Sequence, residues 1–332
     1  MTVLITAGSG MIGSNVARLL VKEFDEKIVI YGRRPFEPSS SILSDVSDHL
    51  ITAIGTLTDL AYLLRLIEVE QVDRIVHCAA MLPPADAQRP MECLDVNVIG
   101  TATLLEAARL SGVHRIVTLS SAAVMGDPEE MDIPSPEENL VLPPTGMYAL
   151  SKLTGEYLVH TYREMFGVDA VCVRPTAVWG PGFRPERINP VPGLILSVAR
   201  GESVSRASGA DTKFDLTYVK DEAQGIVRAL MHEKLLPYYV YNVSFGRNVS
   251  VGDVVQVLQD VRPDVKVSIG PGLWAGVLAR GRQRDTQYRA SQRPAQDVTR
   301  ARRDFGYEPA WPVERAIPDF MRWFETGQYD EQ

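Results

Sequence analysis

Ser121, the second residue of the pair Ser120-Ser121, and Tyr148 and Lys152, within Tyr148-Ala149-Leu150-Ser151-Lys152, are side chains that could move a proton on and off a carbon-bound oxygen. A phenol with an ordinary pKa near ~10 is a poor base at neutral pH, but a lysine ammonium beside it stabilises the phenolate and lowers that value. Four residues of helix put Tyr148 and Lys152 on one face, a turn apart. A serine hydroxyl donating to the substrate oxygen would orient the reacting carbon and steady a developing alkoxide. In a chain with 12 tyrosines the Tyr-x-x-x-Lys spacing arises by chance, so its position carries the weight: 27 residues beyond a serine pair that ends an apolar run. The plainer alternatives are a core aromatic at Tyr148 and serines spent on strand-end backbone.

Near the start, Thr6-Ala7-Gly8-Ser9-Gly10-Met11-Ile12-Gly13 closes a short apolar strand. A helix N-terminus presents unpaired N–H groups and the positive end of a dipole, and glycines let a pyrophosphate approach closely. With a strand before it and a helix after it, the motif points to dinucleotide binding, against the alternative of a tight turn that binds nothing. The two signals together describe hydride transfer coupled to proton transfer at one hydroxyl or ketone. The run after the second strand, Tyr31-Gly32-Arg33-Arg34, lacks the usual carboxylate for ribose hydroxyls. Two guanidinium forks suit a 2′-phosphate, which favours NADP and leaves NAD open.

The elements that must position these groups alternate. Strands are expected at Val3–Thr6, Lys27–Tyr31, Leu50–Ile54, Arg74–Ala79, Arg115–Leu119 and Ala170–Arg174. Helices are expected from Met11 through Val21 and over Leu60–Val69, Asp95–Leu110 and Tyr148–Phe166. Near-continuous β-branched strands between amphipathic helices mean a doubly wound parallel sheet, whose ligand crevice lies beyond the carboxyl ends of the strands. After Arg174 prolines and glycines break the rhythm. Helices at Val191–Arg200, Asp221–Met231 and Val251–Val261 and a strand at Tyr239–Val243 then suggest a smaller C-terminal α/β lobe. The expected division is a dinucleotide-binding domain over 1–175, with 215–245 returning to it, and a substrate lobe from 176–214 and 246–325. The segment Asp127–Pro144 reads as a surface loop over the site.

Bulk properties exclude other classes. A formal charge of −8 over 332 residues offers no general footing for nucleic acid. Cys78, Cys93 and Cys172 give neither a disulfide framework nor a zinc spacing, and no metal is expected. No secretory signal and no apolar run long enough for a membrane span is visible, so the cytoplasm is the expected compartment.

These motifs resemble the extended short-chain dehydrogenase/reductase superfamily, the NAD(P)-dependent epimerase/dehydratase group, nearly end to end. The resemblance rests on the glycine turn, His77-Cys78-Ala79-Ala80, Asn97-Val98-Ile99-Gly100-Thr101, Ser120 to Gly126, the Tyr148/Lys152 pair, Arg174-Pro175…Gly180-Pro181-Gly182, Tyr241-Asn242-Val243 and Phe305-Gly306-Tyr307-Glu308-Pro309. It implies a Rossmann fold with Ser121, Tyr148 and Lys152 catalytic, Lys152 also holding the nicotinamide ribose. It further implies that Ala79 and Ala80 line the cofactor channel and that Asn97 supports the helix beside it. The cofactor set is then Gly8, Gly10, Met11, Ile12, Gly13, Arg33, Arg34, Ala79, Ala80, Asn97, Tyr148 and Lys152. The substrate set is Met81, Ala122, Ala123, Arg174, Thr176 and Trp179. A homodimer through the helices at Asn97–Leu110 and Tyr148–Phe166 is implied as well.

Departures from the group's pattern narrow the reaction. Dehydratases of the group carry Asp-Glu after the catalytic Ser/Thr, where this chain has Ala122-Ala123. Nucleotide-sugar members carry an asparagine where Ala177 stands and an Arg-Asp pair where Phe214-Asp215 stands. The expectation is an NAD(P)-dependent oxidoreductase interconverting a secondary hydroxyl and a ketone on a sugar-like or small polyhydroxylated substrate. A sugar epimerase passing through a transient ketone is the alternative, and a non-catalytic dinucleotide sensor the third reading. Arg280, Arg282, Arg284, Arg289 and Arg293 could hold an anionic group or be solvated. Trp179, Phe183 and Trp274 could wall a pocket or fill a core. His77 is expected to be a backbone-bonded strand-end histidine.

Overall fold

β1 (Thr2–Thr6) is buried along its whole length because helices cover both faces of the sheet around it. The computed structural model describes residues 1–37, 42–126, 144, 146–182, 190–274 and 295–329. Most of the 127–144 segment, Phe183 and the five arginines from Arg280 to Arg293 lie outside the described residues.

From β1 the chain runs through α1 (Met11–Phe24), β2 (Lys27–Gly32), β3 (Leu50–Ile54), α2 (Leu60–Glu70) and β4 (Val72–His77). Two short helices follow, α3 (Ala85–Gln88) and α4 (Pro90–Leu94), then one π turn over Asp95–Ile99 that leads into α5 (Gly100–Ser111). β5 (Arg115–Leu119), α6 (Met147–Phe166) and β6 (Ala170–Arg174) complete the first half. The second half holds α7 (Pro190–Ala199), β7 (Val204–Arg206), β8 (Lys213–Asp215), α8 (Val219–Met231), β9 (Val240–Asn242) and β10 (Asn248–Ser250). It ends with α9 (Val251–Val261), β11 (Val267–Ile269), α10 (Thr299–Phe305) and α11 (Val313–Thr326).

The main sheet has seven parallel strands in the order β3-β2-β1-β4-β5-β6-β9. The order reverses between β1 and β4, which opens the crevice above their carboxyl ends. Side chains of β1 alternate between two cores. Val3 and Ile5 pack with α1, α8 and α10, and Leu4 packs with α2, α5 and α6. A third apolar cluster, with Trp179, Val191, Val251, Leu258, Ile317 and Phe320, is built from α7, α9 and α11. The two-stranded pairings β10–β8 and β11–β7 flank it.

The seven expected strands fall at or within a few residues of their observed places. The expected helix at Asp95 begins instead as the π turn, and α3, α4, α10 and α11 have no counterpart in the sequence reading. Each of the first three is shorter than eight residues, too brief for helical periodicity to register. In α11, Pro318 interrupts a helix that is apolar on one face.

Asp215 at the end of β8 fastens three segments. Its carboxylate accepts hydrogen bonds from Ser244 Oγ (2.8 Å), the Gly246 amide (3.1 Å) and the Gln296 amide (3.0 Å). Burial pushes this carboxyl up to about 6, and the three donors restrain the rise. The folded state therefore binds this proton more tightly than the unfolded chain does. That stability term is fully present below the unfolded carboxylate value and is lost as pH rises through about 6. Thermal unfolding of the parent and Asp215→Asn between pH 4 and 7.5 should show the parent losing up to about 3 kcal/mol relative to the variant as pH rises. Parallel curves would remove the assignment.

Candidate active site

The glycine turn is formed by close packing. Ala7 takes φ +50°, and the Gly10 amide donates to Ala7 O at 2.8 Å. A Cβ on Gly13 would lie 2.7 Å from both Ala7 O and Gly8 Cα, and one on Gly8 would lie 2.7 Å from Ile30 Cδ1. Only glycine keeps strand, turn and helix this close. The N-cap of α1 is Gly10, with no side-chain cap and no acidic residue in the first turn. The amides of Met11, Ile12 and Gly13 thus lack intrahelical partners and face the crevice end of β1, which fits a pyrophosphate.

Thr6 at the end of β1 joins this turn to β4. Its hydroxyl accepts from the Ala79 amide (3.1 Å) and pairs with His77 Nδ1 (2.8 Å). On the other side of the ring, His77 Nε2 lies 3.1 Å from Thr101 Oγ1, which donates to Asn97 O at 2.7 Å. Thr101 has spent its proton, so Nε2 carries the imidazole hydrogen and Nδ1 accepts from Thr6. Burial, with help from the charge of Lys152, drives His77 down to about 3 and keeps it neutral. It is a strand-end histidine as expected, but its partners are two threonine side chains.

The serine pair divides its work. Ser120 is buried and its hydroxyl donates to Glu156 Oε1 at 2.5 Å. Ser121 is half-exposed and caps the short turn Ala122–Met125, its Oγ accepting from the Ala123 amide at 3.1 Å. Among the described residues no acceptor takes the Ser121 hydroxyl proton. Ala122 and Ala123 are half-exposed beside it, and the Ala122 amide donates to Pro175 O at 2.9 Å, tying the β5 and β6 loops together.

α6 packs against that turn. Tyr148 is its second residue and is half-exposed. Lys152 is one turn on and only 7% exposed. Its Nζ donates to Leu119 O at the end of β5 (2.6 Å) and lies 5.9 Å from the centre of the Tyr148 ring. Burial lowers the ammonium to about 8, with Cys172, Cys78, Cys93 and Glu156 pulling the other way. It remains charged at neutral pH. The ammonium borders a small internal cavity lined also by His77, Asn97, Ser120, Ser151 and Glu156.

Several expected residues stand elsewhere. Arg174 is entirely buried, and its guanidinium grips both oxygens of Glu156 at 2.7 Å. It is a structural cation under α6, because an unpaired carboxylate at Glu156 would be costly. Trp179 is also buried and packs edge-on against Tyr218 and Phe320, so it belongs to the second lobe's core. Trp274 is buried there too, under Arg206. Asn97 faces the protein: it accepts from the Met81 amide (2.7 Å) and donates to Met81 O (3.0 Å) and Ser151 Oγ (2.9 Å). Its side-chain oxygen and nitrogen are thus engaged by Met81 and Ser151. Met81 is buried, whereas Ala79, Ala80 and Thr176 are half-exposed at the crevice. Arg33 and Arg34 are exposed beyond β2, and Arg33 Nη1 lies 3.5 Å from Glu92 Oε1. The sequence reading missed Glu156 and Asp86. Glu156 stands at helical spacing from Lys152, a legible signal. Asp86 bonds the Tyr148 amide across 62 residues, and no local pattern announces that.

Residues 3–244 match the NAD dependent epimerase/dehydratase family. The chain belongs to that family. Its cofactor is NAD(P). UDP-glucuronate 4-epimerase 1 of Arabidopsis thaliana is 26% identical, over 97% of this chain and 76% of that one. The fold matches UDP-glucose 4-epimerase from Thermotoga maritima, with TM-score 0.80, 21% identity, and coverage of 98% of this chain and 99% of that one. It matches L-threonine dehydrogenase of Clostridium difficile equally well, with TM-score 0.81, 22% identity and 98% of each chain. No described helix is long and apolar enough to cross a membrane.

Gly13→Ala should weaken NADH binding about tenfold, since the added methyl meets backbone and the turn must shift at a cost of about 1–3 kcal/mol. Fluorescence titration of NADH reads this, and unchanged affinity would remove the pyrophosphate site from the turn.

Proposed function

We propose that the protein interconverts a secondary hydroxyl and a ketone on a nucleotide sugar or a related polyhydroxylated molecule, and that epimerisation through a transient ketone is the leading activity. The observation that carries the reading is the buried Lys152 ammonium, one turn from a half-exposed Tyr148 and fixed to Leu119 O at the end of β5, two residues before a half-exposed Ser121. Ser121 donates to the substrate oxygen and orients the carbon. Tyr148 takes the hydroxyl proton during oxidation and returns it on reduction, and the lysine charge keeps its phenolate accessible. The nicotinamide ring, when bound, supplies the hydride acceptor and donor. Ala122 and Ala123 carry no acid or base, which speaks against elimination of water. We infer that the lobe formed by 176–214 and 246–325 closes over the substrate, the rest forming the dinucleotide-binding domain.

Family membership and the epimerase relatives favour epimerisation over the net oxidation that the residues alone suggest. Net dehydrogenation is the second reading. The likeness to a threonine dehydrogenase supports it, as does Phe214-Asp215 at the place of an Arg-Asp grip, with Asp215 turned inward onto Ser244 and Gln296. Arg33 and Arg34 support NADP. Exposed Leu110, Leu150, Tyr157, Met165 and Phe166 on α5 and α6 support a homodimer through those helices.

The test incubates the protein with NAD or NADP and a panel of UDP-glucose, UDP-glucuronate, dTDP-glucose, L-threonine and sugar acids, following absorbance at 340 nm and product stereochemistry. Inversion at one carbon without net absorbance change is expected; stoichiometric NAD(P)H would establish the second reading instead. Tyr148→Phe should lower turnover by at least about 100-fold with cofactor affinity intact. Arg33→Ala with Arg34→Ala should lower kcat/KM about tenfold for NADP and leave NAD unchanged; an equal effect on both cofactors would remove the 2′-phosphate role.

A further inference from the structure

We propose that Asp86 is a positioning residue for Tyr148, holding the first turn of α6 from the short helix α3 that follows β4. The inference rests on the reading of Tyr148 as the proton carrier. It starts from a gap in the helix start. The N-cap of α6 is Gly146, so the side chain that normally accepts the second or third amide of a helix is missing. Tyr148 is that second residue. Its amide donates instead to Asp86 Oδ2 at 2.9 Å. Asp86 is fully buried, a placement that a carboxylate tolerates only when its oxygens are engaged.

The carbonyl of Tyr148 is held as well. Ser151 Oγ donates to it at 2.8 Å, and Asn97 Nδ2 donates to Ser151 Oγ at 2.9 Å. Asn97 also clasps both backbone groups of Met81. The segment from Met81 to Asp86 is therefore attached to the tyrosine's own peptide at both ends, through Asn97 and Ser151 at one and directly at the other. The first turn of a helix frays most readily because its amides lack partners. A phenol carried there needs an outside brace, since a displacement of about 1 Å can cost about 100-fold in rate. The brace comes from the segment Met81–Asp86 beyond the carboxyl end of β4, which runs into α3, so a ligand touching that segment bears on the phenol.

The test compares Asp86→Ala and Asp86→Asn in the cofactor-loaded protein, using the fastest substrate from the panel above. Asparagine keeps an oxygen that can accept the Tyr148 amide; alanine does not. Asp86→Ala should lower kcat by about 10- to 100-fold with the NADH dissociation constant within about twofold of the parent, and Asp86→Asn should recover most of the loss. Amide hydrogen exchange at Tyr148 should quicken in the alanine variant far more than at Leu150, whose amide bonds Gly146 O. If Asp86→Ala does not fold, Asp86→Glu, which moves the oxygen by one methylene, takes its place with the same expected fall. If no substrate is converted, the exchange rate decides alone. Unchanged kcat and exchange, an asparagine variant as impaired as alanine, or equal losses of kcat and cofactor affinity would each overturn the proposal. Should Tyr148→Phe retain full turnover, the proton-carrier reading fails, while the Tyr148 amide still reports separately on the brace.

Discussion

One buried ammonium organises the crevice. Lys152 is nearly sealed from water, and a lone cation there would shed its proton. Leu119 O takes one of its hydrogens at the end of β5, which sets the distance between α6 and the sheet. One turn further along the same face stands Glu156, itself neutralised by Arg174 and capped by Ser120. Tyr148, Lys152 and Glu156 thus form a line along α6, with a second cation beneath it. The line alternates in character: phenol, cation, carboxylate, guanidinium. Removing either Arg174 or Glu156 leaves the other unpaired in a low-dielectric interior, so those two stand or fall together.

The parallel sheet was legible because its strands are short β-branched runs buried on both faces, a pattern that needs no knowledge of tertiary contacts. The strand end and the helix that carry Ser121, Tyr148 and Lys152 were legible for the same reason. Arg174 and Trp179 were misplaced because position alone decided them. Each follows or ends a central strand near the crevice, and only the packing reveals that the arginine turns down to Glu156 and the indole into the second lobe. The Asn97 amide satisfies Met81 and Ser151, partners distant in the chain that no local pattern announces. Asp86 had no signature, because a cap supplied from another element leaves no trace in local sequence.

The second lobe explains why the chemistry is easier to read than the substrate. Its core of tryptophans and aliphatic residues from α7, α9 and α11 is separate from the two cores of the main sheet. The loops joining it to the sheet pass over the glycine turn: Asn15 of α1 donates to Pro181 O at 3.1 Å, and Gly182 packs against Met11. A lobe tied in this way can change its lining residues without disturbing Lys152 and its partners.

Arg115 occupies the opposite pole. Fully buried at the start of β5, it bonds Asp169 and the carbonyls of Ala229, His232 and Lys234, closing the far end of α8 onto the sheet. β5 is thus clenched by a guanidinium at its amino end and by the Lys152 ammonium at its carboxyl end. Cohesion of the scaffold and reactivity occupy separate tips of a single five-residue strand. Directed evolution could remodel the upper rim extensively, provided the lower fastening is left untouched.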